Sequence, residues 1–217
     1  MRLLTAATLV VLAALPLALV APAAQAAQAG DSTACRIGDI TRVFGGVSII
    51  RNGNTVVPET GESFCVHDRF VTNGKGVAEL KFRDGSLVTV GKDTEFVIAE
   101  WRERLLFANT ASFELVKGAF RALTGAITQR RHRVEVKTAI ATIGVRGTEF
   151  WGGLNLSPEA LEVVMLQGKG VYVKNDAGMV ELTTAGTGTT VKFGKTPTAP
   201  NAWSPEKVSR AVETITP

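Results

Sequence analysis

The stretch VEVKTAIATIGVRGTEF, residues 134–150, decides the reading of this chain. Val134 and Val136 alternate with Glu135 and Lys137, the period-two pattern of a strand with one wet face. From Ala139 to Val145 the run is almost wholly apolar, so the chain is expected to pass into the interior, where it meets Gly144, Arg146 and Gly147. A guanidinium stays charged in a protein, so a buried Arg146 requires a carboxylate or several backbone carbonyls as partners, and Glu149 and Glu135 are the nearest carboxylates in sequence. The two glycines allow a bulge or a turn with positive φ, after which Thr148 and Phe150 restart an alternating strand.

Outward from this stretch the text is strands and turns. GVSIIRNG at 46–53 leads through Asn52-Gly53 into Thr55-Val56-Val57, and Asn-Gly between β-prone runs signals a hairpin. GVAELKFRDGSLVTVG at 76–91 repeats the design around Asp84-Gly85, and Gly91-Lys92-Asp93 is expected to turn again into Thr94 and a further strand. LVKGAFR at 115–121 and GKGVYV at 168–173 continue it. The fold expected is all-β: short antiparallel strands and hairpins stacked as a β-roll, solenoid-like, or a sandwich, with the two left open. One short helix closes the chain. Ser204 reads as its N-cap, Pro205 as its first residue, and Val208, Ala211, Val212 and Ile215 share one face.

The segment TAIATIGVRGTEF, 138–150, resembles the central motif of the FecR domain family, and the flanking hairpins agree over residues 37–194. The resemblance implies a sensor domain of the ferric-citrate regulator type, lying outside the inner membrane, in which Gly144, Arg146, Gly147, Thr148 and Glu149 form a structural motif with no chemistry attached. Regulators of that family hold a sigma factor on a cytoplasmic segment. This sequence is expected to depart from that layout as a stand-alone exported copy, because its start reads as a leader.

Residues 1–29 carry Arg2, an apolar run and two A-x-A sites, the pattern of a cleaved signal peptide, so the mature chain is expected to be periplasmic or secreted with no stable membrane span. Residues 37–194 would form the domain and 195–217 a proline-containing linker and the helix. Cys35 and Cys65 suit an oxidising compartment and are expected to pair, contributing about 3 to 4 kcal/mol by the chain-entropy account.

The chain has 24 basic and 20 acidic residues, and the surplus is local: from Trp101 to Lys137 eight basic residues face three acidic ones. Arg130, Arg131, His132 and Arg133 therefore form a candidate partner-binding loop, solvated by default. Without interleaved aromatics it does not suit nucleic acid. Cys65, His67 and Asp68 are a poor zinc set, and no metal or cofactor is expected. His67 and His132 stand in unlike contexts and no nucleophile, metal-hydrolase or nucleotide-binding motif occurs, so catalysis is not expected. The function expected is a non-enzymatic envelope module that binds another envelope protein or senses; an envelope structural or polysaccharide-binding role is the alternative.

Overall fold

The computed structural model describes residues 35–102, 110–124 and 133–217. The leader at 1–29 and Arg130, Arg131 and His132 lie outside the described residues. Two nine-stranded sheets face each other, and the chain visits them in turn. Strand β1 (Gly38–Phe44) lies in sheet A. The hairpin β2 (Val47–Arg51) and β3 (Asn54–Val56) lies in sheet B, the short β4 (Ser63–Phe64) in A, and β5 (Arg69–Thr72) in B. The hairpin β6 (Val77–Phe82) and β7 (Leu87–Val90) returns to A, and β8 (Glu95–Arg102) and β9 (Thr110–Lys117) pair in B. Then come β10 (Ala119–Leu123) in A, β11 (Arg133–Lys137) and β12 (Thr142–Val145) in B, and β13 (Thr148–Gly153) and β14 (Ala160–Gly168) in A. The hairpin β15 (Val171–Asn175) and β16 (Gly178–Leu182) ends sheet B; β17 (Thr187–Lys192) and β18 (Asn201–Ala202) end sheet A, ahead of helix α1 (Pro205–Glu213).

Except at the β3 and β4 edges, strand order across each sheet follows chain order. The fold is a two-layer roll that grows from one end to the other. Every pairing is antiparallel apart from β9 with β11. The expected hairpins at Asn52-Gly53 and Asp84-Gly85 form, and the GKGVYV strand turns at 175–178 into a third. The expected hairpin at Gly91-Lys92-Asp93 does not: β7 belongs to sheet A and β8 to sheet B, so this turn carries the chain over the rim from one layer to the other.

Alternation sends one side chain in two between the layers, where a single core forms. Its axis is a ladder of seven phenylalanines. Phe70, Phe64, Phe82, Phe113, Phe96, Phe120 and Phe150 touch in that order, with ring centroids 4.9 to 5.9 Å apart. Such contacts contribute about 0.5 to 1.5 kcal/mol each beyond the area they bury.

Two columns of threonine hold the rims where the chain changes layer. The Thr72 hydroxyl donates to Gly91 O at 2.6 Å and accepts from Thr94 N at 2.8 Å; Thr94 in turn donates to Ala119 O at 3.0 Å and accepts from Ala119 N at 2.9 Å. At another rim the Thr124 hydroxyl accepts from Thr148 N at 2.8 Å and donates to Thr148 O at 3.1 Å, and Thr148 bonds to the backbone of Gly170. All four threonines are buried. Turning a strand over a rim strands its amides from the sheet ladder, and a hydroxyl that both donates and accepts satisfies them.

The C-terminal segment is part of the same body. The stretch 195–200, expected as a linker, is tied down: Asn175 Nδ2 donates to Lys195 O at 2.7 Å, and Thr198 N donates to Thr190 O at 3.1 Å. It follows β17, passes the turn of the last hairpin of sheet B, and returns to sheet A, where β18 adds to β17. Helix α1 starts as its sequence indicates, with Ser204 Oγ accepting from Lys207 N at 3.3 Å and Pro205 in the first turn. It lies on the outer face of sheet A over Trp151, Val164 and Trp203, burying Ala211 and Ile215.

Candidate functional site

Most residues of the 138–150 motif have a definable task. The Thr138 hydroxyl donates to Ala141 O and accepts from the amides of Ile140 and Ala141, closing the turn between β11 and β12. Ile143 and Phe150 enter the core. Gly144 leaves space for the Tyr172 ring, which leans over it so that the Tyr172 hydroxyl donates to Glu135 Oε1 at 3.0 Å. Gly147 turns the corner at φ +59°, and Thr148 pins it.

Arg146 corrects the expectation of a buried cation. It is exposed and makes no ion pair among the described residues. The apolar run before it ends at the rim and not in the interior, so what is buried at this corner is backbone: Arg146 N donates to Gly170 O at 3.2 Å, and Arg146 O accepts from the Thr148 hydroxyl at 2.9 Å. Its expected partners are engaged elsewhere. Glu149 pairs with Arg121 on the neighbouring strand, and Glu135 with Tyr172 and, at 3.9 Å, Lys174.

Arg51, the last residue of β2 and half-buried, is instead a cation paired with a buried carboxylate. Its Nε and Nη2 grip the fully buried Asp68 at 2.7 and 2.6 Å, and Asp68 also accepts from Cys65 N at 2.8 Å. The hydrogen bond to Asp68 raises the Arg51 pKa above the ordinary guanidinium value. Cys65 is bonded to Cys35 across 30 residues, as expected. The trio Cys65, His67 and Asp68 is thus divided between a disulfide and an ion pair, with His67 in a left-handed turn, and no cluster of three metal-binding side chains occurs among the described residues.

Two carboxylates at the surface are held low. Asp39 is depressed chiefly by its hydrogen bond from Arg36, and Glu206 by its own backbone amide and the Ser204 hydroxyl at the start of α1. A second buried carboxylate, Glu162, anchors α1: it accepts from Lys207 Nζ and from the hydroxyls of Ser157 and Thr190, while Lys207 lies 4.1 Å from the Trp203 ring centre.

Among the described residues, part of sheet A's outer face is left uncovered by α1. Beside the helix runs a depression walled by Val208 and Val212 and floored by Arg121, Glu149 and Leu166. Past Arg121 lies a second, largely polar depression lined by Thr41, Glu79, Leu87, Thr89 and Leu123. Leu87 and Leu123 are neighbours across β7 and β10, 40% and 41% exposed, and Val212 is 45% exposed. Alternation along these strands could have suggested which residues face outward, but nothing local indicated that α1 would cover only part of that face. Of the expected loop, only Arg133 is described, at the first position of β11.

The family model described as FecR protein matches residues 68–169, from the buried Asp68 through β5 to β14. The chain carries a FecR domain. Its described strands continue past that match on both sides, so β1 to β4 and β15 to β18 extend the FecR roll at its two ends. Two crystal structures, each of a candidate anti-sigma factor from Parabacteroides distasonis ATCC 8503, have a similar fold. One has a TM-score of 0.51 at 15% identity, over 65% of this chain and 62% of that one. The other has a TM-score of 0.50 at 16% identity, over 64% of this chain and 61% of that one. The chain therefore spans just over three fifths of the length of these structures, and at such identities the likeness is one of fold. No curated protein matches the chain.

Proposed function

We propose that the protein is an exported, non-catalytic regulatory module of the bacterial envelope that acts by binding another protein. The FecR domain at 68–169 is the observation that carries this reading. The candidate anti-sigma factors of similar fold point the same way, toward signalling through protein contacts. Export is supported by the leader pattern at 1–29 and by the Cys35–Cys65 disulfide, since such bonds persist in oxidising compartments. The buried carboxylates support a binding role over a chemical one, because Asp68 and Glu162 are consumed by Arg51 and by Lys207 in holding the fold together.

The test is cross-linking in intact cells of the full-length chain with its own leader and a C-terminal tag. The expected result is a mature N-terminus near residue 30, protease accessibility in spheroplasts, and one defined complex with another protein. Recovery from the cytoplasm with the leader intact, or as the uncomplexed chain alone, would count against the reading.

A further inference from the structure

We infer that α1 is an internal ligand of the FecR domain: it fills a site for an amphipathic helix with a lysine in its first turn, and a partner protein bearing such a helix binds by taking its place. The inference rests on the protein-binding reading above and names the surface and the chemistry of the partner. The receiving surface belongs to the domain, and its cover does not. Trp151, Glu162, Val164 and Leu166 lie within the matched residues 68–169, whereas α1 lies beyond them. Alternation along β14 sends Leu161, Val163 and Met165 to the core and Glu162, Val164 and Leu166 outward. The outer face of such a sheet is ordinarily polar, as on sheet B, where Arg69, Glu95 and Glu114 point away from the core. Beneath α1 it is apolar around one buried carboxylate.

That carboxylate defines the ligand. Glu162, 2% exposed, accepts from the Ser157 and Thr190 hydroxyls, each at 3.2 Å, and Lys207 Nζ meets both this carboxylate and the Trp203 ring. Trp203 is held by the roll itself: its N donates to Gly186 O at 3.0 Å, and β18 just before it pairs with β17. The ammonium site is therefore complete before α1 begins. Any cover that shuts water away from Glu162 has to bring a cation to it, because a carboxylate buried without a partner is strongly destabilising. Charge complementarity thus restricts the occupant to a cationic helix. The present one is short. At nine residues α1 falls below the length of about 12 to 15 at which a helix stands alone, so its folding depends on docking. Its other ties are the bonds of Thr214 to Trp151 Nε1 and Lys92 N, the bond from Arg210 Nη2 to Leu156 O at 2.9 Å, and the burial of Ala211 and Ile215. Exchanging it for another helix with the same lysine keeps the ion pair and the burial, and changes only the owner of the helix.

The experiment releases α1 in the full-length chain by two routes: Lys207→Glu, which sets like charges together, and Ala211→Asp, which leaves the ion pair untouched. Both variants should keep the strand circular dichroism of the parent. The probe is a labelled synthetic peptide of residues 204–217. It should bind both variants saturably, become helical on binding, and bind the parent about tenfold more weakly, while the same peptide with Lys207→Glu should bind none of them. In the cells that make the protein, a photo-cross-linking residue at 166 should give more adduct in the variants than in the parent, mapping to a partner segment with a lysine and apolar residues at helical spacing. Loss of strand signal in both variants, a peptide that binds neither, or equal binding with glutamate in place of Lys207 would overturn the inference. Adducts to a second copy of this chain alone would overturn it too. A complex with another protein at the same yield in the parent and both variants would overturn it while leaving the protein-binding reading in place; no complex in any of the three would remove both.

Discussion

The Tyr172 ring lies directly over Gly144, so close that a methyl group on residue 144 would fall 1.8 Å from Tyr172 Cζ. The two residues are register partners on β12 and β15, and Gly144 also faces Glu135, the acceptor of the Tyr172 hydroxyl. Gly144→Ala therefore displaces the ring and breaks that bond. We expect a loss of about 2 kcal/mol from overpacking, with Gly144→Ala in a Tyr172→Ala background costing nearly nothing further. Chemical denaturation of the two single variants and the double variant checks this; additive losses would contradict the close approach.

At the next corner, Thr148 carries the amide and carbonyl of Gly170 on one hydroxyl. Thr148→Val keeps the shape and strands both groups, at about 1 to 3 kcal/mol for each buried group left unsatisfied. A total near 3 kcal/mol is expected, and Thr148→Ser should restore most of it. A valine variant as stable as the parent would show that the hydroxyl is dispensable.

The two arginines with opposite surroundings give a contrast. Arg146→Ala should leave stability within about 0.5 kcal/mol, as exposed substitutions do. Asp68→Ala leaves the Arg51 guanidinium without its partner; discounted because about a third of Arg51 is exposed, the loss should be about 2 to 4 kcal/mol. Thermal melts of the two variants in parallel decide it, and the reverse ranking would mean that residue 146 is the buried cation.

Two surface carboxylates, Asp39 on β1 and Glu206 at the start of α1, tie stability to acid pH. Glu206 and Asp39 have lowered pKa values, so the stability they contribute is present above the ordinary carboxylate range and is lost as pH falls through their depressed folded-state values. Arg51 is shifted the other way, upward, so its contribution is lost only in strong alkali. Carboxyl-carbon NMR titration should give midpoints below the ordinary aspartate and glutamate values for Asp39 and Glu206, with Ser204→Ala moving the Glu206 midpoint upward. Ordinary midpoints in the parent chain would contradict this assignment.

What the sequence reveals and what it hides follow one physical line. Asn52-Gly53 and Asp84-Gly85 were legible because turn chemistry is local, and so was the helix start at Ser204-Pro205. The rim crossings at Gly91-Lys92-Asp93 and Arg146-Gly147 use the same residue types, and only the partner strands distinguish a crossing from a hairpin. The apolar run before Arg146 pointed inward for the same reason: a corner at the rim and a strand bound for the core have the same composition. The threonine columns left a faint trace, Thr72 to Thr94 and Thr124 to Thr148, 22 and 24 residues apart, invisible without knowing which hydroxyls are buried. The depression beside α1 depends on where a distant helix lands, which no local pattern encodes.

The near-monotonic order of strands has a consequence for how such a chain can assemble and change. Each newly arriving hairpin meets a template already laid down by its predecessor, so structure can accrete progressively from the amino terminus. For the same reason a whole rung can be gained or lost between two threonine posts without rewiring the remainder, and lineages of such rolls are free to drift in length while keeping their cross-section.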